Sequence, residues 1–358
     1  MPATLPTAQR PAVHIIHDNP EWILPFQEAF AAEGVEIVEW LLTEEGLSVD
    51  LSVAPPEGIF WSRLSASSHT RAPEHVKEYG RAVLTWLEAA GRTVINGSGV
   101  YELEVSKIRQ HRLLQNAGFS VPRTAAVFGH YGLPDAARGF EPPFITKHNQ
   151  GGKGLGVRRF DSHAELEAAA AEFAPGGGNE PVDGITLIQD YVQPAEPFIT
   201  RAEFIGGTLH YAVKVDVSGG SFELCPAEAC EIPQPGSSGQ PGEQPASQPA
   251  ARPGLAAAAC EVPGTGAGDA GAPQFARREG ITGETPLVQR LEAFLAEQGV
   301  QIAGVEFIET AAGEQVVYDI NTNTNYNPAV ESAEAEAGRL PAARRIAQLL
   351  SSRLAEEG

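Results

Sequence analysis

The sequence predicts an α/β protein whose N-terminal part carries a small parallel sheet and whose remainder is α+β and richer in strands. Three observations carry that prediction. Strand and helix signals alternate through residues 12–96. A glycine-punctuated stretch rich in β signals follows to about residue 220. A second α/β unit closes the chain, and its last strands form a hairpin that carries carboxylates and a comb of asparagines.

Taken in order, "AVHIIH" is a short apolar run, and "EWILPFQEAFAAEG" has helical spacing that ends on Gly34. "VEIVEW" and "GIFWSR" read as strands. "PEHVKEYGRAVLTWLEAAG" reads as a helix with Pro73 early and Gly91 at its end, and "TVIN" as a strand. "EVSKIRQHRLLQNAGFSVPRT" is a helix closed by Gly118. "PFITKHN" and "GITLIQDYV" are strand-like, and "RAEFIGGTLHYAVKVD" is two strands around Gly206-Gly207, a hairpin signal. Residues 231–275 differ, because 16 of these 45 residues are Pro or Gly. Such low-complexity chain reads as a disordered insertion within a domain, with a linker between separate domains as the alternative. Beyond it come the helix "TPLVQRLEAFLAEQG", the strand "GVEFIE" and a C-terminal amphipathic helix from about Ala342.

Composition narrows the function. The chain has 358 residues, 42% hydrophobic and 20% charged, with a net charge of −21. That balance argues against a nucleic-acid partner, which needs a basic footprint. No apolar run approaches the roughly 20 residues that span a bilayer, and no secretory signal opens the chain. Three cysteines give no disulfide framework, and a cytoplasmic protein is expected. Cys225 and Cys230 have no second pair, so they read as buried thiols or a substrate wall and not as a zinc site. Self-association into a homo-oligomer is compatible with this composition.

"GVEFIETAAGEQVVYDIN" reads as a hairpin turning at Ala312-Gly313. With a two-residue turn, Glu306 faces Asp319 and Gly304 faces Asn321. Alternation then puts Val305, Phe307, Val316, Tyr318 and Ile320 on an apolar face, and Glu306, Asp319 and Asn321 on the other. Directly opposed carboxylates repel. A divalent cation reverses that interaction, and an all-oxygen set with two charges suits Mg²⁺ or Mn²⁺. A solvated polar face is the alternative.

Only five of the 25 basic residues are lysine: Lys77, Lys107, Lys147, Lys153 and Lys214. A lysine retained in an arginine-preferring chain suggests a point charge at a phosphate. "TKHNQGGKGLGVRRF" puts Gly151, Gly152, Gly154 and Gly156 just after Lys147. Glycines let backbone N–H groups approach phosphate oxygens. This is no Walker A loop, because Lys153 is followed by Gly154. It reads as a mobile flap between strands, with a plain flexible hairpin as the alternative.

The order of these features resembles the ATP-grasp superfamily, and within it the RimK-like carboxylate–amine ligase branch. The features are Lys107 opening a helix, strand Lys147, the glycine flap, "LIQDYV", Arg201 and an acidic hairpin ending in "DIN". "WSRLSASSHT" and "INGSGVYELEVSKIRQHRLLQNAGFSVPRT" also resemble that branch. The resemblance covers most of the chain outside residues 231–275. It implies a Rossmann-like pre-ATP-grasp domain over 1–100, a first ATP-grasp subdomain over 101–192 and a C-terminal subdomain over 193–358.

The resemblance also implies roles. Lys107 and Lys147 contact ATP phosphates, and Gly151 to Gly156 cover them, with Lys153 a further candidate; Lys214, read from the residues alone, either faces the phosphates or snorkels at a sheet edge. Gln189, Asp190, Tyr191 and Val192 form the adenine-binding hinge. Glu306, Asp319 and Asn321 hold the metal, and Arg201 stabilises the transferring phosphate or the tetrahedral intermediate. Asp319 stands where the family commonly has Glu, and Ile199 replaces the family's ribose-binding carboxylate, with Glu196 as the substitute. Apart from the resemblance, Arg63 reads either as a group for a substrate carboxylate or as a surface-loop arginine, and Asn323, beyond the shared motif, is a candidate for the acceptor side. The implied reaction joins a small-molecule or peptide carboxylate to an amine using ATP. A small-molecule kinase and a non-catalytic nucleotide-binding protein are its rivals.

Overall fold

The computed structural model describes residues 3–4, 11–44, 46–71, 75–152, 154, 156–218 and 274–357. The described residues gather into one compact unit. The proposed insertion therefore lies outside the described residues, except for its last two positions. There the expectation fails, because Phe275 begins a strand.

The N-terminal part contains β1 (Ala3–Thr4), β2 (Ala12–His17), α1 (Leu24–Glu33), β3 (Ile37–Leu41), β4 (Leu47–Ser48), β5 (Gly58–Arg63), α2 (Val76–Ala89) and β6 (Val94–Ile95). β1 and β4 form a small parallel pair, and the main sheet has the order β3-β2-β5-β6, parallel throughout. β2 and β5 are buried at every position, including the polar His14, His17, Ser62 and Arg63 that interrupt their apolar residues. α1 ends on Gly34, whose φ of 69° closes the helix without a Cβ penalty.

Two short helices, α3 (Ser98–Glu104) and α4 (Lys107–Asn116), lead to β7 (Thr124–Phe128), α5 (Leu133–Ala137), β8 (Phe144–His148), β9 (Arg158–Phe160), α6 (His163–Ala169) and β10 (Ile185–Asp190). These strands form an antiparallel sheet of order β7-β10-β8-β9. The third sheet is built from β11 (Phe198–Ile205), β12 (Thr208–Asp216), β13 (Phe275–Arg277), β14 (Ile302–Glu309) and β15 (Gln315–Asn321). It is antiparallel, with the order β13-β12-β11-β14-β15. Gly206 and Gly207 both have positive φ, which the expected tight turn between β11 and β12 requires.

α7 (Pro286–Glu297) packs its leucines against Ala202, Phe204, Val305 and Phe307 on one face of this sheet. The other face meets the N-terminal sheet and the C-terminal helices α8 (Pro328–Glu336) and α9 (Ala342–Glu357). Val13 and Ile15 of β2 and Val213 and Val215 of β12 share one core with Ile346 and Leu350 of α9. No described helix is long and apolar enough to cross a membrane.

Candidate functional site

Glu306 lies opposite Asp319 and Gly304 opposite Asn321, so the expected facing of the carboxylates is found. The route to it differs from the expectation. Thr310 N–H donates to Glu314 and Gly313 N–H to Thr310, so the turn holds three residues, Ala311, Ala312 and Gly313. That slips the outer pairs by one, and Phe307 meets Val317. A bulge at Tyr318 then restores the register at the site. The apolar face is corrected accordingly. Val317 and Ile320 pack with Val305 and Phe307, whereas Tyr318 turns into the pocket beside Asp319.

Two facing carboxylates at about 5 Å would repel by roughly 3 kcal/mol at an effective dielectric of 20. Two cations answer that cost. Lys107 Nζ donates to Asp319 Oδ1 at 2.5 Å, and Arg201 Nη1 to Glu306 Oε1 at 2.6 Å. Tyr318 also hydrogen-bonds to the Glu306 carboxylate. Burial raises the Glu306 carboxyl above its ordinary range, with Arg201 opposing. Burial would raise Asp319 too, but Lys107 and Lys147 outweigh it and hold Asp319 low. Among the described residues Lys147 forms no ion pair, and it donates to the Tyr318 carbonyl at 3.3 Å. Burial, then the Lys107 charge, pushes its pKa down to about 8.

Local structure fixes these groups. Ser106 caps α4 so that Lys107 stands at its first turn, and the base of the flap assists, since Asn149 Oδ1 accepts from Ile108 N–H. Gln110, one turn later, bonds both the N–H and the carbonyl of Ile320 and so ties α4 to β15. Lys147 projects from β8. One pocket is lined by Lys107, Lys147, Arg201, Glu306, Asp319 and Asn321. Gly151, Gly152 and Gly154 line it from the flap, and Gln189, Asp190, Tyr191 and Val192 from the end of β10. Gly156 sits behind, where an added Cβ would come within 2.6 Å of the His148 ring.

Other expected residues fall elsewhere. Lys214 pairs with Thr200, one step from Arg201, and a single step changes the face of a strand. Its ammonium lies 4.3 Å from the centre of the Phe198 ring and does not line the pocket. Glu196 is exposed and also outside the lining. Arg63 and Asn323 meet each other away from the pocket: Arg63 Nε and Nη2 donate to Asn323 Oδ1 at 3.1 and 2.9 Å. Burial lowers the Arg63 pKa to about 10. Lys153, Cys225 and Cys230 lie outside the described residues.

Several site residues escaped the sequence reading. Glu203 Oε1 accepts from Arg201 Nε at 2.6 Å, and Thr324 Oγ1 accepts from Arg201 Nη2 at 2.6 Å while donating to Glu203 at 2.8 Å. Arg201 is thus held on three sides, and Glu203 and Glu306 raise its pKa against the effect of burial. Gly304 lies under the guanidinium, where a Cβ would stand 2.7–2.8 Å from three of its atoms. Asn96, at a φ of 54°, bonds Ile302 and the Thr322 carbonyl, and buried Glu104 accepts from Thr322 and Ala66. One signal was available: a glutamate inside the apolar run "RAEFI" must have a buried partner.

The donor set suits a small divalent cation. Among the described residues no three His, Cys, Asp or Glu side chains form a metal cluster. Glu306, Asp319 and Asn321 offer only oxygen from the protein, two of the three groups charged. That leaves positions for phosphate oxygens, the pattern in which Mg²⁺ is commonly held.

No family model matches the chain. A curated relative named probable alpha-L-glutamate ligase, from Xanthomonas campestris pv. campestris, is 28% identical over 156 residues. That match covers 41% of this chain, which spans about half (49%) of the relative's length. Solved structures match more broadly. The RimK domain protein ATP-grasp from Sphaerobacter thermophilus superposes with a TM-score of 0.61 at 16% identity, over 94% of this chain and 98% of that one. VanG D-Ala:D-Ser ligase from Enterococcus faecalis gives 0.60 at 14% identity, over 96% and 99%. The chain has the ATP-grasp fold and resembles its RimK-like members.

Proposed function

We propose that this chain is an ATP-dependent carboxylate–amine ligase that forms an amide or peptide bond through an acyl-phosphate and releases ADP and phosphate. The observation that carries this reading is the meeting in one pocket of Lys107, Lys147, Arg201, the glycine flap and the Glu306/Asp319/Asn321 set. The ligase names of the relatives support it. Its substrates are a small-molecule or peptide carboxylate and an amine.

A carboxylate oxygen of the first substrate attacks the γ-phosphorus, and the bond to the bridging oxygen breaks, releasing ADP. The amine nitrogen then adds to the acyl carbon, phosphate departs with the C–O electron pair, and the nitrogen gives its proton to solvent. Such transfers need alignment and charge neutralisation more than covalent help from the protein. Lys147 and Lys107 supply positive charge at the phosphates, and the flap glycines supply backbone donors. The hinge residues 189–192 hold the base. Glu306, Asp319 and Asn321 would hold Mg²⁺ or Mn²⁺, which when bound neutralises phosphate charge. Arg201, fixed by Glu203, Glu306 and Thr324, faces the oxygen that gains charge as the acyl centre becomes tetrahedral.

The test is ADP release across amino acids, small carboxylates and peptides, followed by identification of the product. An amide is expected. A stable phosphorylated product with no amine requirement would make the chain a kinase instead. Asp319→Asn is expected to lower ADP release by about 10²–10³-fold or more while the protein stays folded; wild-type turnover in that variant would sink the reading.

A further inference from the structure

Between the phosphate side of the pocket and the hinge lies one rung of the third sheet. Thr200 of β11 pairs with Phe307 of β14, and Arg201 with Glu306. The same register carried one residue further sets Ile199 opposite Ile308, and alternation puts both on the Arg201/Glu306 face. Both isoleucines line the pocket and pack with Val217, whose N–H donates to the Pro197 carbonyl at 3.0 Å. Just beyond them the chain returns from the hinge, where Ala195 N–H donates to the Glu309 carbonyl at 2.8 Å. The isoleucine rung therefore stands between the Arg201/Glu306 rung and the segment that leaves residues 189–192.

The polar side chains nearest this rung are engaged elsewhere. Thr200, one step along β11, faces the other way, and its hydroxyl accepts from Arg278. The Glu309 carboxylate accepts from Arg278 and from Gln315 Nε2, the latter at 3.0 Å. Glu196 is exposed and outside the lining. Asp190 pairs with Phe144, on the strand face opposite Ile145 and Lys147. The Gln189 amide donates to Thr124 Oγ1 at 2.8 Å. Among the described residues, the rung itself presents only hydrocarbon to the pocket.

We propose that the nucleotide is recognised by its base and its phosphates and not by its sugar hydroxyls, so that 2′-deoxynucleotides are taken as readily as ribonucleotides. This deepens the ligase reading and rests on it for the presence of a nucleotide. A nucleotide with its phosphates at Lys107 and Lys147 and its base at residues 189–192 lays its sugar across Ile199 and Ile308. A site built to hydrogen-bond a hydroxyl rejects the analogue that lacks it, because the site's own buried polar groups are left unpaired. An apolar wall has no such group to strand. Removing the 2′-hydroxyl here removes a group that no fixed acceptor receives, and it adds hydrocarbon to the contact. Ile199 sets this specificity. It stands on the pocket face two positions from Arg201 and is 5% exposed, filling with carbon the place an acceptor would need.

The experiment is calorimetric titration of the full chain, with Mg²⁺ present, by ADP, 2′-deoxy-ADP and 2′,3′-dideoxy-ADP. The three are expected to bind within about 3-fold of one another, less than the roughly 5-fold that one typical hydrogen bond is worth. Ile199→Glu puts a charged acceptor on the rung and is expected to make ADP bind about 10-fold more tightly than 2′-deoxy-ADP, or more. Ile308→Ala only shortens the apolar wall and should weaken all three by one common factor, so the test does not hang on the folding of a single variant. Wild-type protein that binds ADP more than about 3-fold more tightly than 2′-deoxy-ADP would overturn the proposal. So would a folded Ile199→Glu with no preference, or Ile308→Ala weakening ADP alone. The two readings fail separately. Equal binding of the nucleotides with no turnover on any substrate removes the ligase and leaves the sugar inference. Amide formation with ATP and none with 2′-deoxy-ATP removes the sugar inference and leaves the ligase.

Discussion

Arg201 and Arg63 are two deeply buried arginines joined through Thr324, and their environments are opposite. Arg201 lies between Glu203 and Glu306, both at 2.6 Å, and its pKa is raised. Among the described residues Arg63 hydrogen-bonds to neutral oxygens, and burial lowers its pKa, with Asp18 among the groups opposing. The difference teaches how to read a buried cation. One whose charge is satisfied within the fold belongs to a fixed scaffold. One whose partners are neutral is held by hydrogen bonds and ring faces instead. The first is fixed against Glu306, and the second is covered by Phe26 and Trp61.

The largest expected effect breaks the Arg201 side. Arg201→Met leaves two buried carboxylates unpaired, and removing one partner of such a network costs about 3–5 kcal/mol. Denaturant unfolding should show that loss, together with loss of ADP release. A cost near that of Arg63→Met would erase the contrast.

A third buried base sharpens the comparison by having given up its charge. His14 stacks on Phe60, and burial pulls its pKa down to about 4, with the Glu57 carbonyl opposing. Between pH 6.5 and 4 the unfolded chain binds a proton there that the folded chain does not. The stabilisation is therefore complete above pH 6.5 and is lost as pH falls toward 4, by at most about 3 kcal/mol. Unfolding midpoints at pH 7 and 4.5 should differ less in His14→Gln than in the wild type; equal slopes would refute this.

Gly304→Ala comes next. The new methyl collides with the Arg201 guanidinium, so turnover should fall by about 10- to 100-fold with little change in ADP affinity, as when one group stabilising the transition state is displaced. Unchanged turnover would mean that the guanidinium can move freely. The smallest effect is on stability in Arg63→Met, about 1–2 kcal/mol, because it leaves neutral acceptors and no stranded charge. A loss as large as that of Arg201→Met would show that Arg63 is scaffold after all.

Much of this was legible in the chain. Strand periodicity and the paired glycines at 206–207 located the hairpins, and two of the retained lysines, Lys107 and Lys147, meet the flap glycines in one pocket. The facing of Glu306 and Asp319 was also legible, through two errors that cancel. The turn is one residue longer than assumed, and the bulge at Tyr318 returns that residue before the site. Lys214 could be read as facing the phosphates or as lying at a sheet edge; a single step of strand parity, which decides the face and leaves little trace in residue type, sets it against Phe198.

The sequence alone determined the elements, their order and the chemistry they carry, because capping, alternation and glycine turns act between near neighbours. Only the tertiary structure decided which charges are satisfied. Arg63 meets Asn323 across 260 residues, and Arg201 meets Glu306 across 105. The need of a buried charge for a partner is general, but the partner is chosen by the packing of three sheets and cannot be read from the residues on either side of it.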